Sequence, residues 1–299
     1  MLRFIRLVFF LWLTLSLVAF FGCKEEEDSA LIPSYLSIDE ISLDVSPGQG
    51  TAAEQITDVW VYANQQFIGA FEMPVKVPLL LEGETDIRLM AGIKLNGISS
   101  TRAYYPFFKP ILQKVNLVRD SVYAFGKVSV QYRDNLKFAW MEDFEGVAPT
   151  FDTTSKSTVA LQRTSEPALL FMHPGELNEY SGYVYLPADS SVFEAMSTEK
   201  YEFPETGVEV FLEMNYSSDN ECAVGVKYLA QGLIVQRPLL YLKPSPEWNK
   251  IYVNLTVPKF DTPSATDFQI FIGAKTDQGD ADGYLLIDNL KLIHINRAK

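Results

Sequence analysis

YLSIDEISLDV, residues 35–45, sets the fold class. Leu36, Ile38, Ile41, Leu43 and Val45 are apolar at near-alternate positions, with one break of phase between Ile38 and Ile41. Alternation of this kind belongs to a half-buried strand, because successive side chains point to opposite faces. Working outward, ITDVWVYANQQFIGAFEMP (56–74) reads as two strands around a turn at Asn64 to Gln66. EGETDIRLMAGIKLNGISSTRAYY (82–105) is another pair, with Asn96-Gly97 as the strongest hairpin signal. QKVNLVRDSVYAFGKVSVQY (113–132) supplies two or three more strands. With 20 Phe and 15 Tyr and few helix-forming blocks, the chain is expected to be all-β.

Arg133-Asp134-Asn135 marks a boundary. The expected organisation is a signal peptide over 1–22, an acidic tether over 23–33, a small β-sandwich over 34–133 and a jelly-roll β-sandwich over 134–299. One short helix is expected from Asp189 to Ser197, where a polar start precedes Val192, Phe193 and Met196. RAYYPFFKP (102–110) clusters Tyr104, Tyr105, Phe107 and Phe108 around Pro106 and Pro110, which sit awkwardly in a regular strand. It is a candidate seal for the domain junction.

At the N-terminus, Arg3 and Arg6 precede a fifteen-residue run, Leu7 to Phe21, broken only by Thr14 and Ser16. That run is short of the ~20 residues a spanning helix needs. It ends in small Gly22, then Cys23, then KEEED (24–28). The segment resembles a bacterial lipobox, although Phe20 and Phe21 depart from the usual leucine and small residue. The resemblance implies cleavage before Cys23 and acylation of its thiol, with palmitate among the chains and no transmembrane helix needed. The acids that follow resemble the surface-export signal of Bacteroidetes-type lipoproteins, which implies an outer-membrane, surface-exposed location.

Loss of residues 1–22 removes two arginines and no acid, so the formal net charge moves from −13 to −15. No basic cluster is present, and nucleic acid is excluded as a partner. If Cys23 carries lipid, Cys222 has no partner. It lies in the strand-like NECAVGVKYL (220–229) and is expected to be a small buried apolar residue rather than a nucleophile.

Residues 58–92 resemble PEGA-type surface β-modules, with Ile68-Gly69, Pro74 and Gly83 in the corresponding places. That implies a scaffold with no catalytic residues. FAWMEDFEG (138–146), PEWNKIYVNLTVP (246–258) and the closing GYLLIDNLKLIHI (283–295) together resemble carbohydrate-binding-module jelly rolls. In such folds Trp248 is expected in the core.

Catalytic chemistry is scarce. The chain holds two histidines, His173 and His294, and no Gly-x-Ser-x-Gly elbow, His-Glu-x-x-His, Cys-x-x-Cys or phosphate-binding glycine loop. The three-acid strand motif of β-sandwich glycosidases is also missing, since EDFE (142–145) has the wrong spacing. The protein is expected not to be an enzyme and to carry no cofactor.

A structural calcium is the one metal considered. TDQGDADG (276–283) offers Asp277, Asp280 and Asp282, and the jelly-roll resemblance implies Glu145 with Asp288. A solvated acidic loop is the plainer alternative. Tyr183 and Tyr185 in SGYVYLP (181–187) share one strand face and would stack on sugars if exposed, or fill the core if not. The expected partners are the membrane, through the lipid, and either a glycan or another envelope protein.

Overall fold

The computed structural model describes residues 32–188, 190–277 and 281–296. Cys23, most of the tether, Asp189 and Asp280 lie outside them. Nearly every described element is a strand, and among the described residues no helix is long and apolar enough to cross a membrane.

The first sandwich begins with β1 (Ser34–Asp44), which pairs antiparallel with β4 (Val75–Leu79) and parallel with β8 (Val122–Gln131). The phase break read in the sequence is a bulge. The β1–β8 register shifts between Ser37 and Ile38 and again between Ile38 and Glu40. An extra residue at a bulge returns the following side chains to the same face. Leu36, Ile38 and Ile41 are therefore all at 0% exposure. The facing sheet runs β3 (Gln66–Glu72), β2 (Asp58–Ala63), β5 (Gly83–Lys94), β6 (Arg102–Tyr104), with β7 (Ile111–Leu117) also on β5. Asn64 and Gln65 join β2 to β3 with φ of 47° and 68°, the left-handed pair that a two-residue hairpin needs.

The jelly roll packs a six-stranded sheet on a five-stranded one. In the first, β11 (Gln162–Thr164), β12 (Ser181–Leu186), β19 (Gly283–Ile295), β14 (Val210–Ser218) and β17 (Ser245–Asn254) follow in that order. With β14 along one edge, β19 is long enough to serve two neighbours along the other. Gly283–Ile287 pairs with β12, and Leu290–Ile295 pairs with β9 (Leu136–Glu142). The changeover falls at Asp288 and Asn289, the latter with φ of 52°.

The second sheet runs β10 (Phe151–Thr153), β13 (Val192–Ser197), β18 (Thr266–Lys275), β15 (Cys222–Ala230), β16 (Leu233–Leu242). Leu212, Ile251 and Ile287 from one sheet meet Phe193, Val224 and Ile270 from the other in a common core.

Two expectations are corrected. From Val192 onward the segment expected as a helix is strand β13 (Val192–Ser197). Phe193 and Ala195 point into the core while Glu194 points out, and pairing with β10 and β18 satisfies the backbone. Sheet contacts override a weak local helix preference. The one short helix described is α1, Thr256–Asp261. Trp248 is half-buried, edge-on to Phe171 at 5.5 Å between centroids, and is absent from the core cluster, where Trp140 sits instead.

The first sandwich docks on the outer face of the six-stranded sheet. RAYYPFFKP does seal this junction: Tyr105 lies 5.1 Å from Phe211 and 4.8 Å from Tyr252, ring to ring, and Phe107 lies 5.5 Å from Phe211. Under the aromatics sits Glu213, at 0% exposure. It accepts hydrogen bonds from the Tyr105 and Tyr132 hydroxyls, each at 2.9 Å, and pairs with Lys250 Nζ at 3.2 Å. Lys291, opposite Glu213 in the β14–β19 register, donates to the Thr51 carbonyl at 2.6 Å. Burial, with Lys250 nearby, pulls the Lys291 ammonium down to about 7 against the attraction of Glu213 and Glu176.

Candidate functional site

The outer face of the five-stranded sheet is open, and a row of small residues crosses its centre beside Phe271. One row across four strands holds Glu194 on β13, Gly273 on β18, Ala223 on β15 and Tyr241 on β16, each opposite the next. Neighbouring strands lie ~4.8 Å apart, so the row is about 14 Å long. With a carboxylate at one end, an aromatic ring at the other and almost nothing between, a groove follows. It encloses about 530 Å³, and Tyr241 is 58% exposed on its rim. This is within the size range of small-molecule and cofactor sites.

The polar wall is pre-set. Glu194 Oε1 accepts from the Thr154 hydroxyl at 2.8 Å, while Oε2 accepts from Gln236 Nε2 at 2.6 Å and Lys156 Nζ at 3.3 Å. Burial alone would raise this carboxyl, but the hydrogen bonds from Gln236, Thr154 and Lys156 outweigh it and hold it below its ordinary range. Its charge is matched by Lys156. The arrangement can orient hydroxyls and stack an apolar ring face.

The sequence reading did not single out Tyr241, Glu194 or Gln236. One signal was available: AVG (223–225) and IGAK (272–275) put small residues inside strands. Such positions mark a close approach of backbone or ligand.

Tyr183 and Tyr185 do share a face, the outer side of β12 in the other sheet. Val184 and Leu186, which alternate with them, lie in the core. Tyr183 is half-buried and Tyr185 is 48% exposed. The Tyr185 hydroxyl donates to Asp282 Oδ2 at 2.6 Å, which raises the phenol and lowers the carboxyl. Asp282 Oδ1 also accepts from the Ala188 amide at 2.7 Å.

The acids expected around a calcium ion are engaged separately. Glu145 Oε1 accepts the Glu179 and Tyr180 amides, both at 2.8 Å. Asp288 is fully buried and accepts from Ser181 Oγ at 2.6 Å and Asn178 Nδ2 at 3.0 Å. Burial pushes its carboxyl up to about 7 despite these bonds and the Asn289 amide. Among the described residues no three acidic, histidine or cysteine side chains converge on a common point. Glu145, Asp282 and Asp288 are thus not assembled into one metal centre.

His173 Nδ1 faces Glu176 at 3.5 Å in a loop, and His294 lies in β19 at 6% exposure. Cys222 is buried at 0%, and burial pushes its thiol up to about 11, as suits an inert core residue.

No family model and no curated protein sequence matches the chain. Among solved structures it is similar to a xylan-binding domain of carbohydrate-binding-module family 22, with 13% identity, 54% of this chain and 97% of that one covered, and a TM-score of 0.36. The CBM22-1 xylan-binding domain from Paenibacillus barcinonensis gives 10% identity, 54% and 97% coverage, and 0.39. A study of promiscuous specificity in carbohydrate-binding modules of the β-sandwich superfamily supplies another, with 12% identity, 87% and 96% coverage, and 0.39. At these TM-scores the likenesses decide neither ligand nor site.

Proposed function

We propose that this protein is a non-catalytic glycan-binding lipoprotein, held at the outer-membrane surface by lipid on Cys23, with the groove over the five-stranded sheet as its binding face. One observation carries the reading: the row Glu194, Gly273, Ala223, Tyr241, which clears a floor between an exposed ring and a hydrogen-bonded polar wall. Sugars offer both an apolar ring face and hydroxyls, and this groove has a partner for each. The chain's net charge of −13 and the matching of Glu194 by Lys156 favour a neutral glycan over a polyanionic one.

Affinity electrophoresis through gels of xylan, β-glucan, galactomannan and arabinan tests it. Retardation by at least one gel is expected. Tyr241→Ala should weaken binding by ~1–3 kcal/mol, taking base-on-aromatic stacking as the analogous magnitude. Ala223→Leu should fill the floor and act as strongly. Unretarded wild-type protein, or variants that bind as well as wild type, would remove the reading. For the anchor, Cys23→Ser should release the protein from membranes, and mass spectrometry of the processed terminus should find a diacylglyceryl cysteine.

A further inference from the structure

A second cavity, of about 290 Å³, lies where the first sandwich meets the free edge of β16. The loop residues Asn96 to Ser99 form one side, and Leu240 to Lys243 with Asn249 form another. Tyr241 lines this cavity and also the groove over the five-stranded sheet. The two spaces therefore flank a single aromatic residue. Among the described residues β16 is the last strand of its sheet and pairs only with β15, so backbone groups along its other side have no strand partner there. The row from Glu194 to Tyr241 runs across the strands, and a ligand following it leaves the sheet over this edge.

We infer that the groove continues past Tyr241 into the junction cavity, so that the loop residues Asn96 to Ser99 of the first sandwich supply a further subsite for an extended oligosaccharide; this rests on the glycan reading above. The loop is held in place by the jelly roll itself. The Asn96 amide donates to the Tyr252 carbonyl at 3.0 Å, and the Asn254 amide donates to Asn96 Oδ1 at 2.8 Å. Asn96 and Gly97 turn the chain with φ of 54° and 68°, so the strongest hairpin signal of the sequence serves as a docking corner as well. Ile98, 45% exposed, stands beside Ser99 and faces a wall containing Asn249 and Lys243. Apolar surface next to hydroxyl, amide and amine groups is the mixture the groove also presents. On this view the first sandwich is part of the binding machinery, beyond any role as a spacer.

The test is calorimetric titration of the purified full-length chain in detergent with an oligosaccharide ladder, from disaccharide to octasaccharide, of whichever gel polysaccharide retards it. Affinity should step up by about tenfold once the oligomer is long enough to pass Tyr241. Ser99→Trp, which fills the junction cavity, should abolish the step and leave the short oligomers unaffected. Ile98→Gln is the milder second variant and should reduce it. Ala223→Leu should weaken oligomers of every length. Affinity that is flat with length, or a step that survives both loop variants, overturns the extension while leaving the groove intact. Failure of every polysaccharide to retard the wild-type chain removes the glycan reading and the extension with it.

Discussion

The jelly roll has two outer faces, and they solve opposite problems. The six-stranded face carries Glu213, Asn215, Lys250, Asp288 and Lys291, all at 5% exposure or less because the first sandwich and the loop before β12 cover them. The five-stranded face carries Gly273 and Ala223 at its centre and remains open. Large polar groups thus lie where the rest of the chain covers them, with hydrogen bonds to Glu213, Asp288 and Lys291, and small residues lie where space is kept. Buried charge is no guide to a binding site, since here Glu213, Lys250 and Lys291 lie sealed under the first sandwich.

The largest effect should come from breaking the sealed face. Glu213→Ala leaves Lys250 and Lys291 buried without their carboxylate and should destabilise the protein by ~3–5 kcal/mol, read from denaturant melts. A loss below ~1 kcal/mol would mean that the junction is wet and that the two faces are alike. Separating the sandwiches near Asp134 should expose the same cluster, so each piece is expected to melt below the intact chain.

The pH dependence comes next. Asp288 has a folded value of about 7 against an ordinary 3.8. The folded state therefore holds its proton more tightly between those values, and this group's contribution falls as pH rises from about 4 to 7. Asp288→Asn has no such proton to lose. Its stability relative to wild type should rise across that window by ~2–4 kcal/mol, as denaturant melts at stepped pH would show. A constant difference between the two proteins would place Asp288 in water.

The smallest effects belong to the tyrosines on β12. Tyr185 is half exposed and bonded to an exposed Asp282. Tyr185→Phe should shift stability by ~1 kcal/mol or less. If the six-stranded face binds no sugar, Tyr183→Ala and Tyr185→Ala should leave gel retardation unchanged while Tyr241→Ala reduces it. The reverse pattern would move the binding site to the other face.

Class and strand positions were legible because alternation is local. Leu36, Ile38, Ile41 and Leu43 all went to the core, and even the phase break between them showed up as a bulge. RAYYPFFKP was legible as a seal because prolines beside four aromatics fit no regular strand. The segment from Asp189 misled, because Val192, Phe193 and Met196 fit a helical face as readily as a strand until β10 and β18 pair with it. Trp248 misled because local pattern does not say which of several tryptophans reaches the core.

By itself the sequence determined the all-β class, the buried apolar place of Cys222, the acidic charge and the absence of recognisable catalytic motifs. These depend on composition and on period-two spacing, both of which are properties of neighbouring residues. Tertiary structure alone decided which sheet face is open. Glu194, Gly273, Ala223 and Tyr241 are distant in sequence and become one row only through the registers of three strand pairings. Register follows from burial of the opposite face, since a slip of one residue would turn every core side chain outward. The groove is therefore a consequence of how the core packs, and no short stretch of the chain encodes it.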